Sequence, residues 1–426
     1  MSVAARPRLY GMARARSESA RQIAELLKTA REALGLSLAF MTRLDETTQH
    51  LEVVESALPM LFRDGMARPR ANSFCQSIMD GKLPAVIPDV TKFPEAMRLP
   101  AARMPRLRSY VSVPVVLSDG TVYGTFCAAG FGADKHLSKR DKALMEVLSQ
   151  AAALIVEPDF RRRESHAEIG DRLRPVLAAG GPQVVLQPIV EVDTGRRVGV
   201  EALSRFPAAW DRPPDVCFAE AHEIGVGDRL EVLALRRAAE HLERVGGYIA
   251  MNISPATLLT GECLDLLGRL PLDRVVLELS EHQRVEDYDE LKAALAPLRG
   301  GGMRLAVDDV GAGFSSLRHI VLTQPDVIKL DRSIVTGVGA DPVLRVLTRS
   351  LVDLAGACGA TVVAEGVETE ADSLALAGLG VHHGQGWFFG RPGAPSALRP
   401  AYELRQPTLD APRATSSNHR VSSPTP

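Results

Sequence analysis

The chain has 426 residues, enough for two domains when one of them is a barrel of roughly 250 residues. It is 46% hydrophobic and 24% charged with a net charge of -2, an ordinary globular balance that gives no electrostatic reason to expect a nucleic-acid polymer or an anionic membrane as partner. The five cysteines, Cys75, Cys127, Cys217, Cys263 and Cys358, are scattered and form no Cys-x-x-Cys pair, which excludes a zinc ribbon and a disulfide framework and points to a reducing compartment. The start of the chain has arginines but no apolar signal region, and no run approaches the ~20 apolar residues of a membrane span, so a cytoplasmic protein is expected.

In chain order, Ser17 to Leu34 is predicted as a helix stopped by Gly35. Leu36 to Leu44 and Leu51 to Ala57 read as strands around the polar turn Asp45-Glu46-Thr47-Thr48, Phe74 to Met79 as a short helix and Ala85 to Val90 as a strand. Two β-rich runs, Tyr110 to Leu117 and Thr121 to Ala129, flank Asp119-Gly120 and predict a hairpin. Ser138 is placed to cap an amphipathic helix running to Val156. Ser73-Phe74-Cys75-Gln76-Ser77-Ile78, Tyr110-Val111-Ser112-Val113-Pro114-Val115 and Gly120 to Cys127 resemble the matching segments of a GAF sensor domain. The resemblance covers residues 17–157 and implies an antiparallel sheet flanked by helices, often dimeric and often holding a small ligand, whose identity does not carry over. Cys75 reads as a small core residue rather than a chromophore anchor, and His50 as a solvated turn residue rather than a haem ligand.

Residues 158–180 read as a helical connector: Pro158 interrupts the preceding helix or opens a new one, and Ile169, Leu173, Val176 and Leu177 have helical spacing before Gly180-Gly181. From Gln183 onward strands alternate with helix-length segments. The strands are Val184–Val190, Arg197–Leu203, Tyr248–Ile253, Arg274–Leu279, Arg304–Asp308, Asp326–Leu330, Thr361–Glu365 and Gln385–Phe389. The turn Asp193-Thr194-Gly195 pairs the first two antiparallel, and the later alternation predicts parallel strands with right-handed crossovers. The predicted fold class is therefore α/β, a (β/α)8 TIM-like barrel with an antiparallel first strand pair, preceded by an α+β domain. The barrel domain is set at residues 168–403, and the Ser-, Thr- and Pro-rich residues 404–426 are expected to be disordered.

The C-terminal ends of these strands carry Glu201, Asn252, Glu278, Asp308 with Asp309, Lys329, Glu365 and Gln385. That end is where a barrel of this kind keeps its chemistry. Oxygen ligands without His or Cys point to hard cations, Mg2+ or Mn2+, and the surplus of carboxylates is enough for two ions. A lone Asp-Asp pair is most simply a solvated turn; polar groups at seven strand ends are not so easily dismissed.

Glu201-Ala202-Leu203-Ser204-Arg205 resembles the signature of the EAL domain family of cyclic di-GMP phosphodiesterases. In order, Gln187-Pro188-Ile189-Val190, Asn252-Ile253-Ser254, Glu278-Leu279-Ser280-Glu281, Asp308-Asp309, Lys329-Leu330-Asp331, Glu365-Gly366-Val367-Glu368 and Gln385-Gly386 match the family's other motifs. The resemblance implies that Glu201, Asn252, Glu278 and Asp308 hold one metal ion and that Asp308, Asp309 and Glu365 hold a second, with Asp308 bridging. It implies that Lys329 hydrogen-bonds the attacking water, that Glu281 braces the loop after Asp309, and that Gln187, Leu203, Arg205, Asp331, Glu368 and Gln385 contact or position the dinucleotide. The proton acceptor is left open between Lys329, Glu365 and solvent. The implied reaction is hydrolysis of cyclic di-GMP to linear 5'-pGpG by a homodimeric enzyme tuned by its GAF-like domain; the alternative is a non-catalytic cyclic di-GMP receptor or interaction module. Two departures stand in the loop: Val310 and Ala312 occupy places where the family usually has Phe and Thr, while Gly311 and Gly313 are kept. His282 and the pair His382-His383 read as solvated loop residues rather than ligands.

Overall fold

The computed structural model describes residues 16–57, 62–103, 106–280, 285–311 and 315–398. Two compact units divide between Ser165 and His166. In the first, six strands form one antiparallel sheet: β1 (Leu38–Leu44), β2 (Thr48–Ser56), β3 (Met66–Pro69), β4 (Val86–Ile87), β5 (Ser109–Val116) and β6 (Val122–Gly130), in the order β3-β2-β1-β6-β5-β4. Period-two alternation sorts the side chains. Ala39, Met41, Val111, Val113, Phe126 and Ala128 face the helix Glu18–Leu34 through Ile23 and Leu27. Leu38, Phe40, Tyr110, Cys127 and Ala129 face the other way and pack with Phe74 and Cys75 of the helix Phe74–Met79. The hairpin turn forms as its sequence predicts: the Asp119 carboxylate accepts the Thr121 N–H at 2.8 Å and Gly120 takes φ 87°. His50 lies in β2 rather than in a turn, and its Nε2 meets Asp45 Oδ2 at 2.8 Å.

The predicted break at Pro158 does not occur. One 40-residue helix runs Lys139–Ala178. Ser138 Oγ accepts from Arg140 N at 3.3 Å, so the cap expected at Ser138 starts it, and Asp141 accepts the Ser138 N–H at 2.8 Å in return. A proline inside a helix costs about 3 kcal/mol. Here the carbonyl it deprives of a donor belongs to Leu154, which is 73% exposed and can be hydrated. Packing on both sides of the proline outweighs the cost. Ala152, Val156 and Phe160 join the core of the first unit, while Ile169, Leu173 and Val176 pack with Ala221 and Leu230 in the second.

The second unit is a closed eight-stranded barrel in the order β10-β11-β12-β13-β14-β7-β8-β9. Its strands are β7 (Gln183–Glu191), β8 (Arg197–Arg205), β9 (Tyr248–Asn252), β10 (Val275–Ser280), β11 (Arg304–Val310), β12 (Val327–Leu330), β13 (Thr361–Ala364) and β14 (His383–Gly384). β7 runs antiparallel to both neighbours and all other pairs are parallel, as the tight turn after β7 and the helix-length crossovers require. The eighth strand is shorter and earlier than predicted. Residues 387–389 form a turn, because Gly386 approaches the Val367 backbone so closely that a Cβ there would lie 2.2 Å from its carbonyl oxygen. Trp387 and Phe388 are exposed instead of filling the barrel.

Inside the barrel the side chains stack in layers. Ile189, Ala250, Val276, Ala306, Val327 and Val363 form one apolar layer with Tyr248 beneath it. Gly247 turns the chain into β9 at φ 84°, where an added Cβ would sit 2.0 Å from the Val198 carbonyl oxygen. Gly247→Ala is expected to destabilise the barrel by about 2–4 kcal/mol. Gly261→Ala, at a position with no heavy atom within 4 Å and an ordinary helical backbone, is expected to be neutral or slightly stabilising. Thermal unfolding of the two variants checks the contrast.

Candidate functional site

Two residues further along each strand, toward the C-terminal end, the apolar layer gives way to a polar one. Ala250 is followed by Asn252, Val276 by Glu278, Ala306 by Asp308, Val327 by Lys329 and Val363 by Glu365, all on the inward-facing beat of the pleat. Registry supplies the rest: Gln187 on β7 pairs with Glu201 on β8, and Asn252 with Glu278. Gln385 follows directly after β14.

Adjacent aspartates on a strand would normally face opposite ways. The strand expected to end at Asp308 continues to Val310. A bulge does the work instead. Val307 pairs with Ile328 and Val310 with Leu330, so Asp308 and Asp309 together oppose the single residue Lys329, and Asp309 takes a left-handed φ of 59°. Asp tolerates that conformation better than most residues. Gly311, at φ 113°, meets Ile334 so closely that a Cβ would stand 1.7 Å from its Cδ1.

The convergence is tight. Lys329 Nζ lies 2.7 Å from Glu365 Oε1, 3.0 Å from Glu278 Oε1, 3.0 Å from Asp308 Oδ1 and 3.7 Å from Glu201 Oε1. Lys329 and Glu278 are each 1% exposed. Asn252 Nδ2 donates to Glu201 Oε1 at 3.0 Å and Gln385 Nε2 to Glu201 Oε2 at 2.5 Å. Gln385 Nε2 also reaches Gln187 Oε1 at 3.0 Å, and Gln187 Nε2 donates to the Gly390 carbonyl at 3.1 Å.

Charge in so dry a place is held by its neighbours. Burial opposes the Lys329 ammonium, yet Asp308, Glu201, Glu278 and Glu365 hold it protonated well above the ordinary lysine range. Burial also opposes the Glu201 carboxylate, but Lys329 and the Gln385 and Asn252 amides keep it below its usual value. Glu278 is driven well up by burial, and Glu365 to about 8 by burial and then by the charge of Asp308. Four carboxylates thus face one ammonium, and burial together with their mutual repulsion disfavours charge on two of them. The Oε2 atom of Glu278 is buried with no hydrogen-bond partner among the described residues.

This donor set fits cations. Glu201, Glu278 and Asp308 each bring a carboxylate oxygen within 4.8 Å of the others, and so do Asp308, Asp309 and Glu365. The two groups share Asp308. All donors are oxygens, as hard divalent ions prefer.

A cavity of about 420 Å3 opens beside the cluster, lined by Asn252, Asp308 and Asp309 and by Leu203, Arg205 and Phe218 among others. In its wall, Glu231 accepts from the N–H of Ser254 at 2.9 Å, from its hydroxyl at 2.8 Å, and meets His222 at 2.7 Å, fixing the turn after Asn252. Sequence reading missed Glu231. Its signal is a charged residue in phase with Gly227, Leu235 and Ala238 on the buried face of a helix. Other predicted site residues stand apart from the cluster. Asp331 caps the short helix Arg332–Val335 through the Ser333 N–H, and Glu368 is exposed and pairs with Arg332 at 3.6 Å. His383 lies in β14 beside Val363 rather than in a loop, and His382 Nδ1 accepts the Val362 N–H at 3.3 Å. Glu281, His282, Ala312 and Gly313 lie outside the described residues, as do residues 404–426.

The ordered polar layer belongs to a known family. The EAL domain family model matches residues 171–392, more than half of the chain, and the chain belongs to that family. A GAF domain model matches residues 20–157. Among its relatives, an uncharacterized protein of Mycobacterium tuberculosis is 30% identical over 262 residues, covering 57% of this chain and 41% of that protein. The cyclic di-GMP phosphodiesterase PdeL of Escherichia coli K12 is 30% identical over 221 residues, covering 49% of this chain and 61% of PdeL. The chain thus aligns with about half the length of these relatives. The solved structure of the EAL enzyme Bd1971 in its cAMP- and cyclic-di-GMP-bound form is 17% identical, with coverage of 84% and 91% and a TM-score of 0.52, a likeness of fold. No helix among the described residues is long and apolar enough to cross a membrane.

Lys329→Met should make stability depend on metal. Removing one partner of a buried ionic network costs about 3–5 kcal/mol, so the barrel's Tm in EDTA is expected to fall by roughly 6–20 °C at ~2–4 °C per kcal/mol for a domain of this size. Added Mn2+ is expected to restore most of that. Equal losses with and without Mn2+, by differential scanning fluorimetry, would contradict the compensation argument.

Proposed function

We propose that the barrel hydrolyses cyclic di-GMP to linear 5'-pGpG with two divalent cations, Mg2+ or Mn2+, and that its activity is tuned by the GAF domain within a homodimer. The observation that carries this reading is the pair of carboxylate groups sharing Asp308 directly opposite Lys329. The likeness to PdeL, named as a cyclic di-GMP phosphodiesterase, supports the substrate.

Glu201, Asn252, Glu278 and Asp308 would hold one cation, and Asp308, Asp309 and Glu365 the other. Bound there, the ions supply positive charge that offsets a phosphodiester anion and acidifies a water. The chain does the rest. Lys329 would hydrogen-bond the attacking water through its N–H groups. The proton released would pass to Lys329, Glu365 or solvent. Arg205, along the cavity wall beside Leu203, is positioned to meet a phosphate oxygen of the dinucleotide. Gln385, held by Gln187 and Glu201, positions water or substrate. Glu281 would brace the loop after Asp309, and Asp331 and Glu368 would contact or position the dinucleotide.

One feature favours the receptor reading. Val310, in the place of the family's usual Phe, is 1% exposed and packed into the core with Ile334, so it presents no aromatic group to a substrate or a partner.

Full-length protein with Mn2+ is expected to convert cyclic di-GMP to pGpG, followed by chromatography. Glu278→Gln is expected to lower turnover by at least about 10^2–10^3-fold. Retained binding of the intact dinucleotide with no product, from metal-loaded wild-type protein, would favour the receptor.

A further inference from the structure

Cys75 and Cys127, 52 residues apart in sequence, meet in the core of the first unit with their sulfurs 3.4 Å apart. Their surroundings are unlike the rest of that layer. Leu38, Phe40, Leu51, Phe74 and Ala129 make the face of the sheet apolar. Into it project Gln49, Tyr110, Ser112 and Thr125, all of them buried. Gln49 Nε2 donates to Cys75 Sγ at 3.1 Å and the Tyr110 hydroxyl lies 3.1 Å from the same sulfur. Ser112 Oγ is 3.2 Å from Cys127 Sγ, which also lies 3.2 Å from Thr125 Oγ1, itself 2.8 Å from Thr42 Oγ1.

A cysteine that merely fills space needs no such company. Each buried amide or hydroxyl costs desolvation, and sulfur in a neutral thiol is a weak acceptor that returns little. The arrangement makes physical sense if one sulfur carries charge. Donors cluster on Cys75: burial alone would raise its thiol, but hydrogen bonds from Cys127, Thr125, Tyr110 and Gln49 outweigh that and bring it down to about 6. Cys127 goes the other way, pushed well up by burial and by its neighbour. The pair is therefore asymmetric, with the donors around Cys75 favouring its thiolate and burial favouring the Cys127 thiol.

We propose that Cys75 and Cys127 form an oxidisable dithiol in the N-terminal domain, closing to a disulfide when a hydroperoxide arrives. The Cys75 thiolate attacks the hydroxyl-bearing oxygen of the peroxide and the O–O bond breaks. Cys75 becomes a sulfenic acid, and the alkoxide or hydroxide released takes up the proton that Cys75 had given to solvent. The Cys127 sulfur then attacks the Cys75 sulfur, the S–O bond breaks, and hydroxide leaves with the Cys127 proton as water. Two thiols lose two electrons, and one peroxide is reduced to water and an alcohol, or to two waters from hydrogen peroxide. The sulfurs need only draw together to the ~2.0 Å of a disulfide. This inference is independent of what the barrel hydrolyses.

The test uses the full chain carrying Cys358→Ser, which removes the exposed thiol and with it intermolecular cross-linking. The protein is treated with hydrogen peroxide, the smallest member of the class and so the one suited to a buried pair, then denatured, alkylated and digested for mass spectrometry. The expected product is a Cys75–Cys127 cross-linked peptide lighter by two hydrogens and reversed by dithiothreitol. It should form at least about tenfold faster than any modification of Cys263, whose thiol burial pushes up to about 12. Cys127→Ala should instead leave a sulfenic acid on Cys75 that a 1,3-dione traps; if that variant does not fold, the cross-link in the Cys358→Ser protein decides alone. Full alkylation of both cysteines after peroxide exposure, or irreversible sulfinic acid on either without a cross-link, would overturn the proposal.

Discussion

One ammonium ion among four carboxylates is the interaction on which the barrel depends. Lys329 sits with 1% of its surface exposed where Glu201, Glu278, Asp308 and Glu365 converge. Like charges this close in a low-dielectric setting repel by several kcal/mol per pair unless something positive stands between them. The lysine faces all four, and burial, with the charges of the neighbouring carboxylates, pushes Glu278 and Glu365 upward. A site that must keep protons or recruit cations to balance itself is primed for divalent ions. The apolar layer beneath, from Ile189 to Val363, is what holds the charged layer in place and keeps water from relieving it.

Much of this was legible in the sequence, for a definite reason. Strands buried on both faces read as short apolar runs, and a carboxylate or amide at the end of each breaks the run. That made Glu201, Asn252, Glu278, Asp308, Lys329, Glu365 and Gln385 visible before any fold was known. What the pattern does not encode is how strands are offset. The bulge that sets Asp308 and Asp309 against one lysine is a matter of pairing between β11 and β12, and nothing in the local sequence announces it. The eighth strand was misplaced because Trp387, Phe388 and Phe389 look like a buried run, whereas the close approach of Gly386 to the Val367 backbone turns the chain there. Asp331 and Glu368 belong to well-matched motifs, yet one caps a helix and the other pairs at the surface, so a motif marks a neighbourhood more surely than a contact.

The first unit teaches the complementary lesson. Its strands and hairpin follow from alternation and turn chemistry, but the meeting of Cys75 with Cys127 comes from sheet registry and the seating of one six-residue helix. Read singly, Cys75 is a small core residue; only the converging donors of Gln49 and Tyr110 set it apart. Pro158 shows the same tension, since a local helix breaker is carried through a 40-residue helix by packing on either side of it.

The central claim is that the polar layer is a two-cation site with Asp308 shared. The measurement that tests it most directly is manganese-edge anomalous diffraction from crystals of the protein grown with Mn2+. Two peaks about 3.5–4 Å apart, with one Asp308 oxygen reaching each, are expected. A single ion, or ions bound away from Asp308 with Lys329 still gripping all four carboxylates, would contradict it.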